Sequence, residues 1–381
     1  MSATLLLAPD SFKGSLSARR FCEVAEAAIR ETLPDATMIS HPLADGGEGT
    51  LDALAGLEGA ERVSVTVSGP LGEPVQADYL LLHPRRTAVI EMARASGLLL
   101  VPPERKRPLE ATTRGTGELL DHALRAGVRR IVLTLGGSAT TDAGSGLLSA
   151  LGYRFLDAAG RPLPPGGGAL ERLARIEAPE LDLGGIELVG ATDVTTPLLG
   201  ITGAARLFAP QKGASPAEVE RLERGLERFA EVVKRDLGLD VAETPGSGAA
   251  GGLGAGLLVL GARLRPGFPL VADLTRFEER FQRHAIDLVI TGEGRLDGQS
   301  AHGKVPVEVA KVAARHGVPV VAVAGEVALP PGEAQAMGFE EAVALGGPEI
   351  PRPRRMAEAE RLLAEAVRGL TRRRGFSGAT P

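Results

Sequence analysis

Leu5-Leu6-Leu7-Ala8 is a short apolar run that stops at Pro9-Asp10, and from Ser17 onward Phe21, Val24, Ala28 and Ile29 recur at helical spacing. This reads as a strand, a polar loop and a helix capped by Ser17. Met38 to Pro42 repeats the strand, Leu43-Ala44-Asp45-Gly46-Gly47-Glu48-Gly49 repeats the polar loop, and Leu51 and Leu54 belong to a further helix. The same order given twice is how a parallel α/β domain begins. Beyond residue 60 the period changes. Val63, Val65 and Val67 alternate, Gly69-Pro70 and Gly72-Glu73-Pro74 mark a turn, and strand-like runs follow at Val75 to Leu82 and Ala88 to Met92. Strands joined this closely pair antiparallel, because a parallel return needs a crossover of about a dozen residues or more.

Thr116 to Leu124 reads as a helix, Arg130 to Leu135 as a strand running into Gly136-Gly137-Ser138, and Glu187 to Ala191 as a strand ending at Thr192-Asp193. The clearest helix comes next. Ser215 is its cap, Pro216 its first turn and Glu218 lies three beyond the cap, with Val219, Leu222, Leu226, Phe229 and Val233 on one face. Ala285 to Ile290 and Val318 to Ala322 return to the apolar strand, and their β-branched content fits strands covered on both faces. The expected fold class is α/β: a discontinuous Rossmann-like or flavodoxin-like parallel-sheet domain from residues 1–60 and 275–381, with residues 61–274 inserted as a second α/β domain containing a mixed sheet. Two chain crossings join such domains, which favours a hinged cleft.

The composition narrows the chemistry. With 381 residues there is room for about two cores. A formal charge of -5 gives no global field toward nucleic acid or an anionic bilayer. The absence of Trp and the presence of only two Tyr leave little from which to build an aromatic stacking platform. One cysteine, Cys22, excludes an internal disulfide and a multi-cysteine metal site. No apolar run approaches the ~18 residues of a membrane span, and the opening segment is broken by charge too early for a signal sequence, so the expected location is the cytoplasm.

Two familiar motifs fail. Gly246-Ser247-Gly248-Ala249-Ala250-Gly251 has dinucleotide-turn spacing, yet Glu243-Thr244-Pro245 stands where a strand is required; the segment can still open a helix. Gly298-Gln299-Ser300-Ala301-His302-Gly303-Lys304-Val305 has P-loop spacing, but Val305 replaces the hydroxyl that reaches magnesium. Lys304, close to Asp297 and Ser300, remains a phosphate contact.

More telling are the polar residues gathered at strand ends: Asp10, Ser11 and Lys13; Asp45 and Glu48; Ser138, Thr140, Thr141 and Asp142; Asp193 and Thr195; Thr291, Glu293, Arg295 and Asp297. In open parallel sheets the carboxyl ends of strands line the ligand crevice. Phosphoryl transfer needs cations, oxygen-orienting hydroxyls and amides, and carboxylates that carry magnesium or take a proton. Lys13, Lys212, Arg295 and Lys304 supply the cations.

These loops carry a resemblance. Ala8-Pro9-Asp10-Ser11-Phe12-Lys13-Gly14-Ser15-Leu16-Ser17-Ala18, Ala44-Asp45-Gly46-Gly47-Glu48-Gly49-Thr50, Gly136-Gly137-Ser138-Ala139-Thr140-Thr141-Asp142-Ala143-Gly144 and Thr291-Gly292-Glu293-Gly294-Arg295-Leu296-Asp297 resemble the bacterial glycerate kinases. So do Asp193-Val194-Thr195 and Pro210-Gln211-Lys212-Gly213-Ala214, while Leu199-Gly200-Ile201-Thr202 departs from a loop that is often more polar. The resemblance implies magnesium- and ATP-dependent phosphorylation of D-glycerate to 2-phosphoglycerate, with the 3-phosphate left open, by a protein unrelated to P-loop and sugar kinases. A kinase for another small hydroxy acid and a non-catalytic nucleotide-binding protein are the rivals.

On that reading Asp193, Lys13, Arg295 and Asp45 are the expected catalytic residues, with Asp193 and Asp297 for the metal. Ser11, Glu48, Arg94, Gly137, Ser138, Thr140, Lys212, Glu293, Ser300 and Lys304 are expected to hold substrate or phosphate. A planar guanidinium suits bidentate contact to the acid, which makes Arg295 and Arg94 the candidate clamps. Partners are small molecules, with no nucleic acid or membrane. The charged helices from Pro331 to Arg374 are a candidate homodimer face.

Overall fold

The computed structural model describes residues 3–84, 86–301, 303–330, 332–347 and 349–374. His302 of the P-loop-like segment and Pro331, the expected start of the charged helices, lie outside the described residues. The strands run in the order β1 (Thr4–Leu7), β2 (Thr37–Ser40), β3 (Ala60–Ser68), β4 (Pro74–Leu82), β5 (Thr87–Glu91), β6 (Arg130–Thr134), β7 (Arg154–Leu156), β8 (Arg175–Glu177), β9 (Glu187–Ala191), β10 (Arg263–Arg265), β11 (Leu288–Glu293), β12 (Val320–Ala324) and β13 (Glu341–Ala344). The chain divides into two compact units, one within residues 1–45, 52–56 and 268–381, the other within 46–51 and 57–267.

In the first unit a wholly parallel sheet has the order β13-β12-β11-β1-β2. Its middle strands β11 and β12 are buried along their whole length, as their apolar runs require. The helix Ala18–Thr32 begins where Ser17 Oγ accepts from Arg20 N at 3.1 Å, and it buries Phe21, Cys22, Ala25 and Ile29. The helix Ala359–Arg374 packs beside it through Leu362, Leu363, Val367 and Leu370. The apolar stripe of that C-terminal helix is therefore spent on its own unit's core.

The second unit carries a mixed sheet in the order β10-β9-β6-β5-β4-β3. As the short turns predict, β3–β4 and β4–β5 are antiparallel, while β5, β6, β9 and β10 run parallel to one another. The helix Pro216–Leu237 has the expected reciprocal cap between Ser215 and Glu218, and buries Val219, Leu222, Leu226, Phe229 and Val233. β7 and β8 form a separate two-stranded ribbon.

The Gly-rich segment after residue 246 does open a helix, Ala249–Val259, but one interrupted by left-handed backbone at Ala250, Gly251 and Gly252, with φ of 54°, 70° and 90°. The interruption has a steric cause. A Cβ on Gly251 would lie 2.0 Å from Thr140 O and 2.7 Å from Thr141 Cα, so only a bare backbone lets this turn press on the loop after β6. Gly251→Ala is expected to lower unfolding free energy by more than about 2 kcal/mol, against about 1 kcal/mol for Gly72→Ala, whose φ is also positive but whose Cβ would meet open space. Denaturant melts of both variants check this, and equal losses would show that the close approach is not what demands the glycine.

Candidate active site

In the first unit the order of strands reverses at β1: β2 lies on one side and β11 on the other. Loops leaving the carboxyl ends of β1 and β11 diverge at such a point and leave a crevice. Asp10 N donates to Gly292 O at 2.8 Å, and Thr291 Oγ1 donates to Ala8 O at 2.7 Å, which fastens the two strand ends together. Thr291 and Glu293 thus belong to β11 itself, which runs further than the apolar run to Ile290 predicts.

A cavity of about 250 Å³ opens there, lined by Ser11, Lys13, Asp45, Glu293, Arg295 and Lys304 among the expected site residues. Asp10 lines it too and is 5% exposed. Burial raises the pKa of its carboxyl well above the ordinary value, Asp45 adds to the rise, and Lys13 opposes it. Glu293 is raised mainly by burial as well; it accepts from Ser300 Oγ at 2.7 Å and lies 3.3 Å from Lys304 Nζ. Ser300 and Asp297 stand behind the wall and brace it. Asp297 N donates to Ser300 Oγ at 3.1 Å, and its carboxylate lies 3.2 Å from Arg295 Nε.

In the second unit the loop after β6 is held from beneath. Lys212 is 3% exposed, and its Nζ donates to Ser138 Oγ at 2.8 Å and to Thr140 O at 2.5 Å. Burial pushes the Lys212 ammonium down to about 7, with Asp142 opposing. Asp142 is itself fully buried; it accepts from Thr113 N at 2.8 Å, Thr113 Oγ1 at 2.9 Å, and Gly144 N and Gly146 N at 3.2 Å. Thr140 Oγ1, Thr141 Oγ1 and Ser247 Oγ are buried without a partner among the described residues.

Close backbone contacts bring further loops of this unit to the same place. A Cβ on Gly46 would lie 2.7 Å from Gly267 Cα, and one on Gly136 would lie 2.9 Å from Gly47 Cα. Gly267 N in turn donates to Asp193 Oδ1 at 2.9 Å. Glu48, Gly137 and Asp193 are exposed at these loops. Arg94 Nε donates at 3.0 Å to Glu91, whose buried carboxylate also accepts from Leu51 N at 2.9 Å. The expected residues therefore form two clusters, one in each unit, and Lys212 is a buried brace for Ser138 and Thr140.

Sequence reasoning missed Arg352, Arg355 and Met356 on the wall of the first unit's cavity. The Pro351-Arg352-Pro353-Arg354-Arg355 segment carries an obvious charge signal, but nothing in its spacing says which arginines fold back on the sheet. Among the described residues no helix is long and apolar enough to cross a membrane.

The chain matches the model of the glycerate kinase family over residues 5–374. It belongs to that family. It is 44% identical to a glycerate kinase of Halalkalibacterium halodurans over 96% of this chain and 97% of the relative. It is 49% identical to the glycerate 2-kinase of Escherichia coli K12 over 84% of each. A crystal structure from Salmonella typhimurium LT2, described as a glycerate kinase 2, superposes with a TM-score of 0.85 at 43% identity, covering 98% of both chains. The chain is an enzyme of the kinase class, for which ATP is the co-substrate.

The buried lysine of this glycerate kinase family member has a measurable consequence. Because Lys212 loses its proton more readily in the folded chain, the unfolded chain binds more protons between about pH 7 and the ordinary lysine range, so stability falls as pH drops through that window and levels off below it. Denaturation midpoints from pH 7 to 9.5 should rise in the native chain and rise less in Lys212→Met. Parallel slopes would show that the lysine is not the group responsible.

Proposed function

We propose that this chain transfers the γ-phosphoryl group of ATP to the 2-hydroxyl of D-glycerate in the cytoplasm, releasing ADP and 2-phosphoglycerate. The observation that carries this reading is the cavity at the strand-order reversal, where Lys13, Arg295 and Lys304 face a narrow space also lined by Asp10, Asp45 and Glu293. Cations there offset the charge of a phosphate, and carboxylates supply proton acceptors. The name of the E. coli relative supports the 2-hydroxyl as acceptor. The lone cysteine and the low net charge support a cytoplasmic small-molecule enzyme.

In the transfer, the glycerate hydroxyl oxygen bonds to the γ-phosphorus as the bond to the ADP oxygen breaks, and the hydroxyl proton passes to a carboxylate. Asp193 is the first assignment for that base or for a metal contact, with Asp45 as its rival for the proton and Asp297 as its rival for the metal. Lys13 and Arg295 would contact the transferring phosphoryl or the acid, and Ser138 and Thr140 would orient oxygens. Among the described residues no group of three or more His, Cys, Asp or Glu could hold a metal ion. A carboxylate of Asp193 or Asp297 together with the nucleotide phosphates would suit Mg²⁺, which is commonly held by one or two carboxylates plus substrate phosphates; the ion would neutralise charge on the nucleotide.

With purified chain, ADP release should depend on D-glycerate and not be matched by glycerol, lactate or tartronate, and phosphorus NMR should place the product phosphate on C2. Lys13→Met and Arg295→Met should each lower kcat/KM by more than about tenfold. Separate Asp193→Asn, Asp45→Asn and Asp297→Asn variants measured against Mg²⁺ concentration sort base from metal contact, since excess Mg²⁺ partly relieves only the latter. Near-normal turnover in all three would remove these aspartates from the mechanism.

A further inference from the structure

The wall of the first unit's cavity has a character that glycerate does not explain. Phe12, Leu345, Met356 and Ala359 give it an apolar side. Every carbon of glycerate bears oxygen, so the acid has almost no apolar surface to place there. A purine ring has two such faces, and cofactor pockets commonly combine apolar walls with a few placed charges. The rest of the lining is largely ionic, with the cations Lys13, Arg295, Lys304, Arg352 and Arg355 and the carboxylates Asp10, Asp45, Glu293 and Glu326. Lys13 and Arg352 make no hydrogen bond or ion pair among the described residues, whereas Lys304 and Arg295 are already paired at 3.3 and 3.2 Å.

The C-terminal segment is built into this wall. Arg355 is largely buried, and its Nη1 donates at 3.2 Å to Gly325 O at the turn that follows β12, while its Nε has no partner among the described residues. Met356 Cε reaches the turn after β1, since a Cβ on Gly14 would lie 3.1 Å from it. A second hollow of about 390 Å³ shares Ser15, Met356 and Ala359 with the first, which extends the space along the helices Arg352–Ala357 and Ala359–Arg374.

We infer that this cavity is the nucleotide site, with the purine on the Leu345–Met356–Ala359 wall and the phosphates reached by Lys13, Arg352 and Arg355. The assignment rests on the ATP-dependent kinase reading and adds to it which ligand occupies this cavity and which C-terminal residues hold it. Short helices near the end of the chain become part of the binding machinery.

Calorimetric titration of the full chain with ADP in the presence of Mg²⁺, paired with steady-state kinetics, tests it. Arg352→Met and Met356→Asp should each weaken ADP binding and raise the KM for ATP by about tenfold or more, with the KM for D-glycerate within about twofold of the native value. Arg352 is exposed with no bonded partner among the described residues, so its variant folds even where Met356→Asp does not, and it decides alone in that case. Unchanged ADP affinity, or a rise confined to the KM for D-glycerate, overturns the assignment. A native chain that binds ADP but transfers nothing to glycerate sinks the kinase reading, while loss of ADP binding in Arg352→Met would still support the nucleotide site.

Discussion

The parallel pairing of β1 with β11 is the constraint on which the candidate site of the first unit depends. Leu5, Leu6 and Leu7 lie opposite Leu288, Val289 and Ile290, so residues from the two ends of the chain share one register. A one-residue slip would turn each strand's buried side chains to the other face of the sheet, and with both faces covered by apolar residues the cost would be spread over the whole core. Because that register is fixed, Asp10 and Lys13 leave the sheet beside Glu293 and Arg295. Chemistry-bearing residues some 280 positions apart meet because hydrophobic strands, not the polar groups themselves, bring them together.

The second unit reaches local order by a different route, through buried ions. Asp142 accepts from five donors on two neighbouring segments, 112–113 and 144–146, and Lys212 spans Ser138 and Thr140. Taking such charges out of water is costly, and their mutual attraction and hydrogen bonds offset only part of it. The return on that cost is position. With its backbone tied by a buried lysine and a buried aspartate, and pressed by Gly251, the loop from Ser138 to Asp142 has few alternative conformations. Loops that must hold anions by backbone and hydroxyl groups need that rigidity, since a displaced donor contributes little.

Much of this was legible in the sequence. Period-two alternation located β3, the short turns gave the antiparallel pairs, and Ser215 with Glu218 announced the helix Pro216–Leu237. The polar clusters at strand ends were visible because Gly, Asp and Ser interrupt otherwise apolar runs. What stayed hidden was burial among polar residues. Lys212 looks like any phosphate-facing lysine until the fold encloses it, and Asp142 looks no different from Asp45 or Asp193. The end of β11 was misplaced because Thr291, Gly292 and Glu293 read as loop, yet they keep pairing with β12. Arg352 and Arg355 were invisible for the opposite reason: in an arginine-rich tail, only tertiary contact distinguishes one that lines a cavity from one that meets solvent.

The carboxylates that line the cavity bear on why cations alone would make a poor transferase site. A pocket lined only by lysine and arginine would hold ADP almost as firmly as ATP, and interactions common to substrate and product do not accelerate the step between them. Asp10, Asp45 and Glu293 lie among those cations, and burial, with Asp45 and Glu293 adding to it, keeps the Asp10 carboxyl raised. Their negative charge opposes phosphate unless cations or a divalent ion stand between, so a nucleotide in the proposed site would be favoured with its metal over without it. On the proposed reading, selectivity for the metal-bearing nucleotide then follows from the balance of charges lining the cavity.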